Sequence, residues 1–468
     1  MSKRIVINPV TRISGFMEID VTLDADTVVE AKTRGSFFRG FEQMMVGRNP
    51  FDAIYLTQRI CGICSTAHSV ASSVALESAL GVQVTEQGRY LRDIIHGCEF
   101  LQNHVRHFYQ YTIPDYVKLP DLGGAFVPDH ADFRLPAAVN DSLAAHYFAS
   151  LPVSRLAHQM LAVLGGKAPH NHGVFVGGVS RSPAVDQIVT MKSLLQEITA
   201  FIEGQMVPDA YVLARYYADY FAMGRGPGNL LSYGAFDRYE RLGTLYVDPL
   251  VSVAGRQEPF RPELITEEID YAWYRGERSY KPFETISEPE MHKEQAYSWV
   301  KAPRYAQVPC EVGPLARLWL SGEYRNGISA MDRTIARSLE AKKVCGILAT
   351  LLDQISPGGR VQQEWQVPDR CLGAGLVDTT RGALGHWLKI ESGVLSFYQI
   401  ITPSAWDFST RDDRQYGTAE QALIGTRVRN PEQPVELGRI LRSFDPCMSC
   451  ATHVYRPGQA PLTIQVMG

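Results

Sequence analysis

Apolar and polar positions alternate over the first 38 residues. IVINPV and FMEIDVTL read as strands, DADT as a turn, and VVEAKTRGSFF as a following strand. From about Phe51 to Leu80 the apolar spacing becomes helical, with Gly81 as a natural stop. A second long helix is predicted from about Gly88 to Tyr111, and further helical stretches over roughly 138–164, 184–220 and 328–355. The segment 112–137, rich in Pro, Asp and Gly, is predicted as a long surface excursion, and so is the acidic and aromatic stretch 255–295. There is no internal repeat, no low-complexity tract and no linker that separates domains. The pattern predicts a mainly α chain with a small N-terminal β-sheet at about 4–38, an α+β fold whose helical core runs from about 51 to 453.

Composition changes this picture little. The chain has 468 residues, 45% apolar and 21% charged, which suffices for a large core. A net charge of -4 gives no reason to expect nucleic acid or an anionic membrane surface as partner. No run of about 18 apolar residues suggests a membrane span. The opening MSKRIVINPVTR has no apolar signal core, so nothing in this chain directs export, and an exported protein would need a partner to carry the address.

The cysteines add chemistry. Eight in a chain this long are too sparse for a disulfide scaffold. Cys98, Cys310, Cys345 and Cys371 stand alone and are expected to be buried structural residues. The other four form two C-x-x-C pairs near opposite ends of the chain. RICGICSTAHS contributes Cys61, Cys64 and His68, which would share one face of a helix at i, i+3 and i+7. FDPCMSCATH contributes Cys447, Cys450 and His453. Taken alone, the two pairs leave a closed tetrahedral zinc site open as a reading. His104 and His107, three apart, and His170 and His172 are expected to serve packing rather than metal binding.

The text around the pairs narrows the choice. INPVTRISG, FFRGFEQMMVGRNPFDA, TQRICGICSTAHSVAS, GGKAPHNHGVFVGGV, GPGNLLSYGAF, SWVKAPRYAQVPCEVGPLAR, TTRGALGHW, ITPSAWDFSTRD and RSFDPCMSCATH follow one another along nearly the whole chain. In these nine blocks the chain resembles the large, catalytic subunit of nickel–iron hydrogenases, which have a large helical-bundle core. The resemblance implies reversible heterolytic cleavage of dihydrogen at a nickel–iron centre. Cys61 and Cys447 would bind nickel terminally, Cys64 and Cys450 would bridge nickel and iron, and the iron would carry carbon monoxide and cyanide installed by maturation proteins. Soft thiolates suit such metals.

Further roles are implied residue by residue. Arg381 matches an arginine over the open site that holds a cyanide and is a candidate proton acceptor. Ser404 and the backbone beside Pro403 match the cradle of the other cyanide. His68 matches a residue that hydrogen-bonds a bridging thiolate, and Asp445 an acidic residue near the open site. Glu42, His453 and a carbonyl near Ile400 match ligands of a magnesium or iron ion close to the C-terminus. Two departures stand out. The family usually has a glutamate in the block written here as TRISG, where it carries protons away; this chain has Ser14, and a hydroxyl relays a proton but does not store one at neutral pH. Glu42 or Glu18 could substitute. Asp378, in DTTRG, replaces the family's commoner glutamate.

The resemblance also implies that an endopeptidase removes residues 454–468 after nickel delivery by maturation proteins. No further cysteine cluster could hold an electron wire, so an obligate small subunit with iron–sulfur clusters is expected, docking on exposed helix faces in the first half of the chain, and a dimer of heterodimers is compatible with the family. The alternatives are a regulatory hydrogen-sensing subunit, against which the tail speaks, and the quinone-chamber subunit of respiratory complexes, which shares the fold but has lost the four cysteines.

Overall fold

The structure is a computed structural model that describes residues 3–121, 128–236, 238–276, 279–285, 287–362 and 364–451, without the side chains of 450 and 451. The N-terminal strands form as the alternation predicts. β1 (Lys3–Ile7), β2 (Met17–Asp24) and β3 (Thr27–Gly35) make an antiparallel sheet in that order. Ile19, Val21 and Leu23 point to the core from one face of β2.

The predicted helix over 51–80 is broken, which corrects the expected common face. α1 (Phe41–Met45) and α2 (Asp52–Leu56) are short, a 3-10 turn covers Thr57–Ile60, and Cys61 is extended at φ -149 and ψ 135. α3 (Ser65–Leu80) starts only after Cys64, its N-cap, and stops at Gly81 in the left-handed region as expected. Cys61 therefore lies ahead of the helix that carries His68.

α4 (Glu86–Arg106) is the central helix. It is buried along most of its length and continues through a π turn at His107–Thr112. α5 (Ala137–Gly165), α6 (Val185–Phe201) and α7 (Val207–Tyr216) match the helical periodicity read from the sequence. α8 (Pro314–Ser321) and α9 (Ala330–Gln354) complete the bundle, with α4 and α5, α4 and α9, and α6 and α9 in contact. Ser329 caps α9 by accepting the Asp332 N–H. Among the described residues no helix is long and apolar enough to cross a membrane.

Strand content beyond the N-terminus was not legible. Between α5 and α6 lies a hairpin of β4 (Val174–Phe175) and β5 (Gly178–Val179). Ahead of α8 come β6 (Leu230–Ser232), β7 (Leu250–Val253) and β8 (Arg256–Pro259), then β9 (Ile265–Glu268), β10 (Ser279–Tyr280) and β11 (Ala302–Tyr305). The stretch 255–295 is thus partly ordered sheet, with Glu267, Ile269, Ala272 and Tyr274 buried. After α9, β12 (Arg370–Thr379), β13 (Gly382–Glu391) and β14 (Val394–Ile401) form an antiparallel sheet lying on α3. Close approach sets the sequence of β12: a Cβ on Gly375 would stand 2.1 Å from the Ala71 carbonyl oxygen of α3. The short helices α10 (Pro403–Asp407), α11 (Thr418–Leu423), α12 (Val435–Ser443) and α13 (Met448–Ala451) end the described chain.

The excursion expected over 112–137 is also corrected at its start. Thr112–Val117 is buried, because Asp115 anchors Arg12 and the α12 residue Arg442 through 2.5 and 2.6 Å ion pairs. The fold class stands as α+β, with a helical core and several small antiparallel sheets.

Candidate metal centre

Two stretches from opposite ends of the chain bring three sulfurs together. Cys61 Sγ lies 3.3 Å and Cys64 Sγ 3.9 Å from Cys447 Sγ. The three atoms all lie within 4.8 Å of one another, and each residue is at most 5% exposed.

Local hydrogen bonds build each arm. Arg39 donates to the carbonyls of Arg59 and Ile60, immediately before Cys61, and the Ile63 N–H donates to Cys61 Sγ at 3.3 Å. α3 lacks a side-chain cap of its own, since its N-cap residue gives its sulfur to the cluster. Glu99 of α4 supplies the cap instead, accepting the N–H groups of Thr66 at 2.7 Å and Ala67 at 3.1 Å. The other arm is pinned to the N-terminus. Ser14 accepts the Met448 N–H at 2.7 Å and donates its own N–H to the Pro446 carbonyl at 3.2 Å, while the Cys447 N–H donates to Ser404 Oγ at 2.9 Å. Gly15, at φ +87, is required here, because a Cβ would meet the Ser449 nitrogen at 2.4 Å. The backbone of residue 450 belongs to α13, but the Cys450 side chain and His453 lie outside the described residues.

Charge is concentrated beside the sulfurs. Arg381, in the tight turn from β12 to β13, donates from Nε to the Asp445 carbonyl and from Nη2 to Asn103 Oδ1, both at 2.9 Å, and pairs with Asp445 Oδ1. Its Nη1 is buried with no hydrogen-bond partner among the described residues. Burial opposes the guanidinium charge, but Asp445 and the thiolates of Cys447, Cys64 and Cys61 outweigh it and push the pKa well above its ordinary value. Asp445, at φ 62, also accepts from Asn103 Nδ2 at 2.7 Å and faces Arg337 at 3.4 Å. Burial would raise its carboxyl; Arg381, His107 and Arg337 hold it well below the usual range.

Of the remaining predicted residues, His68 is fully buried, with its pKa lowered to about 4 by burial, partly offset by Cys61. Ser404 and Pro403 open α10 directly beside Cys447. The Ser14 hydroxyl is buried without a partner among the described residues. Asp378 is buried between Ser232 and Arg317, and burial pushes its carboxyl up to about 6. Glu42 and Ile400 line a common cavity of about 50 Å³ with Glu267 and Lys301. Glu18 is tied instead to Asn8 and Arg34. His104 bonds Glu340 at 2.7 Å and His107 the Arg442 carbonyl at 2.8 Å, both inside the core. His170 is half-buried, and His172 packs edge-on against Tyr55. Cys98, Cys310 and Cys345 are buried as expected, but Cys371 is partly exposed.

Asn103, Arg337, Glu99 and His386 were missed from the sequence. A signal existed for two of them: Glu99 and Asn103 repeat at helical spacing inside a helix buried on nearly every side, where unsatisfied polar groups are costly.

The donor set fits a soft or borderline transition metal: convergent buried thiolates, with a guanidinium beside them that keeps one nitrogen uncommitted for an anionic ligand. Comparison with known proteins agrees. A family described as nickel-dependent hydrogenase matches residues 39–125, 122–327 and 320–453. The chain is 36% identical to the periplasmic [NiFeSe] hydrogenase large subunit of Desulfomicrobium baculatum, over 96% of this chain and 95% of that protein. It is 30% identical to the hydrogenase-2 large chain of Escherichia coli K12, over 97% and 98%. The solved structure of the H2-activated Dm. baculatum [NiFeSe]-hydrogenase superposes with a TM-score of 0.93 at 35% identity, covering 97% of this chain and all of that one. The [NiFeSe] hydrogenase of D. vulgaris Hildenborough in the reduced state gives 0.92 at 36%, with 97% and 100% covered. With most of its length matched and its sulfur ligands gathered, the chain belongs to the nickel-dependent hydrogenase family.

Proposed function

We infer that this chain is the catalytic large subunit of a hydrogenase, cleaving or forming dihydrogen at a nickel–iron centre held by Cys61, Cys64, Cys447 and Cys450. The observation that carries the reading is the meeting of Cys61, Cys64 and Cys447 sulfurs from both ends of the sequence. Nothing in the structure or the relatives favours the hydrogen-sensing alternative.

The bound metals would supply a soft Lewis-acidic pair on which dihydrogen is polarised, with carbon monoxide and cyanide on the iron. The chain's own residues do the rest. Arg381 is clamped through Nε and Nη2, so Nη1 is the nitrogen free to hold an anionic iron ligand or to take part in proton transfer. Asp445 fixes that fork, and Asn103 fixes Asp445. Ser404, bonded to the Cys447 N–H, still has its hydroxyl proton to offer the second cyanide, at the start of a helix opened by Pro403. Ser14 pairs its backbone with Pro446 and Met448 on either side of Cys447, and its buried hydroxyl would relay a proton leaving that side of the site. Its hydroxyl passes a proton on without holding it.

A magnesium or iron ion on Glu42, the Ile400 carbonyl and His453 is supported by the small cavity that Glu42 and Ile400 share. Removal of residues 454–468 is supported by the end of the family match at 453. We place residues 1–453 in one hydrogenase unit. Electrons need a partner, because the cysteines outside the two pairs stand alone in the sequence. The hydrogenase large chains among the relatives imply a small-subunit partner; we propose that it carries the iron–sulfur clusters and docks on exposed helix faces in the first half of the chain, where Phe148 and Leu151 of α5 are exposed. Maturation proteins would deliver the nickel.

Metal analysis and infrared spectroscopy of the purified complex test the reading. One nickel with carbonyl and cyanide stretches is expected; zinc as the sole metal would overturn it.

A further inference from the structure

Arg333, near the start of α9, is a buried cation committed on three sides. Its Nε and Nη2 form a fork on Glu311 at 2.7 and 2.8 Å, and its Nη1 donates to the Gly224 carbonyl at 2.8 Å. Its guanidinium carbon lies 3.6 Å from the centre of the Phe444 ring. Glu311 and Phe444 are buried as well, and the mechanism derived above uses none of the three.

Both partners lead to the site. Phe444 immediately precedes Asp445, whose left-handed backbone at φ 62 is uncommon for a residue with a side chain, and Cys447 follows two positions later. Glu311 precedes Val312 and Gly313. The Val312 N–H donates to Asp407 Oδ1 at 3.2 Å, at the end of the helix that Pro403 and Ser404 open. Gly313 lies against the turn bearing Arg381: a Cβ there would stand 2.9 Å from the Arg381 carbonyl oxygen. The Phe444 ring in turn packs edge-on against Phe408, the residue after Asp407, with centroids 5.7 Å apart. One guanidinium thus ties the segment carrying Asp445 and Cys447 to the segment packed against Arg381 and α10. Arginine suits this place, because a flat guanidinium makes a two-bond fork in its plane and stacks by its face at the same time. An ammonium has neither the fork nor the flat face.

We propose that Arg333 is a positioning residue of the metal centre, clamped by Glu311 and stacked on Phe444 so that Asp445 and Cys447 keep a fixed register with Arg381 and Ser404. The proposal rests on the reading that the sulfurs hold the metals and that Arg381 and Ser404 face the anionic iron ligands. Arg333 acts through its neighbours: a shift of either segment opens the Arg381–Asp445 pair and moves both donors relative to Cys447. A displacement of about an ångström is enough to slow a reaction that depends on such placement.

Infrared spectra of the intact complex read the donors around the iron ligands without turnover. In Arg333→Lys a charge stays beside Glu311 but the fork and the stack are lost; in Phe444→Leu the ion pair stays and only the stack is lost. Both variants are expected to keep nickel and iron at the wild-type level, to shift the cyanide bands, and to lower kcat with little change in the KM for hydrogen. The double variant is expected to shift the bands no further than Arg333→Lys, because both changes break one shared contact. Cyanide bands at the wild-type positions in both single variants, at equal metal content, overturn the proposal and leave Arg333 a contributor to stability alone. A wild-type complex without nickel or without cyanide bands would instead defeat the underlying metal reading.

Discussion

At position 103 one amide serves charged neighbours on both sides. Its nitrogen donates to Asp445, and its oxygen accepts from Arg381 and from Arg106. Truncating it strands buried charge on each side, a loss of roughly 1–3 kcal/mol in folding stability. Freed from one of its anchors, Arg381 can drift by about an ångström, and misplacement on that scale can cost about 100-fold in rate. Asn103→Ala is therefore expected to keep its nickel but to oxidise hydrogen about 100-fold more slowly with an artificial dye; unchanged turnover would show that the fork needs no amide. Ser14 raises the opposite question, because its hydroxyl is present but passive. Ser14→Glu places a storable proton beside Cys447. Proton–deuterium exchange is expected to rise relative to dye reduction, and equal exchange in both proteins would take position 14 off the route. At this scale the motif blocks pointed to residues the fold brings together: Cys61, Cys64 and Cys447 converge, and Arg381 and Asp445 pair beside them. Asn103 was not legible, because Asp445 and Arg381 lie more than 270 positions away and only folding makes it a bridge between them.

The elements show the same division between local and tertiary causes. α3, α5, α6 and α9 were legible because each keeps an apolar period over many turns. β13 was not: it is buried at nearly every position from Gly382 to Ile390, so no alternation marks it. The break at Cys61 was hidden as well, since periodicity continues across it while the sulfurs must turn inward. The break leaves α3 dependent on Glu99 for its cap. Burial lifts the Glu99 carboxyl from 4.5 to about 7, against the pull of the Thr66 and Ala67 N–H groups. A carboxyl whose folded pKa is raised binds more protons folded than unfolded. Its contribution to stability is complete below about pH 4.5 and is lost as pH climbs through about 7, a span worth about 3 kcal/mol. Glu99→Gln keeps an acceptor for one of the two N–H groups and does not titrate. Its denaturant midpoint is expected to fall less than the wild type's between pH 5 and 8; parallel curves would show that Glu99 stays ionised throughout.

Across the whole molecule, the two ends of the chain are joined at the centre they build. Ser14 and Gly15 lie against Pro446–Ser449, and Cys61 and Cys64 meet Cys447. Backbone bonds, a few side-chain bonds such as Ser404 to the Cys447 N–H, and thiol contacts hold this junction, while thiolates brought so close repel one another unless a cation lies among them. Metal binding therefore contributes directly to closing the C-terminal segment. The 15 residues from 454 to 468 extend beyond the end of the family match, and beyond His453, the expected ligand of the second metal. A segment that is still open gives an endopeptidase its opportunity, and a segment closed over both metals has no need of the extension. Cleavage should thus follow loading. Chain purified from nickel-replete cells is expected to have the mass of residues 1–453, give or take its initiator methionine, and chain from nickel-starved cells the mass of the full sequence. Should an active, nickel-loaded preparation retain residue 468, closure does not require removal of the tail, and the junction between the two ends must be stable with the extension still attached.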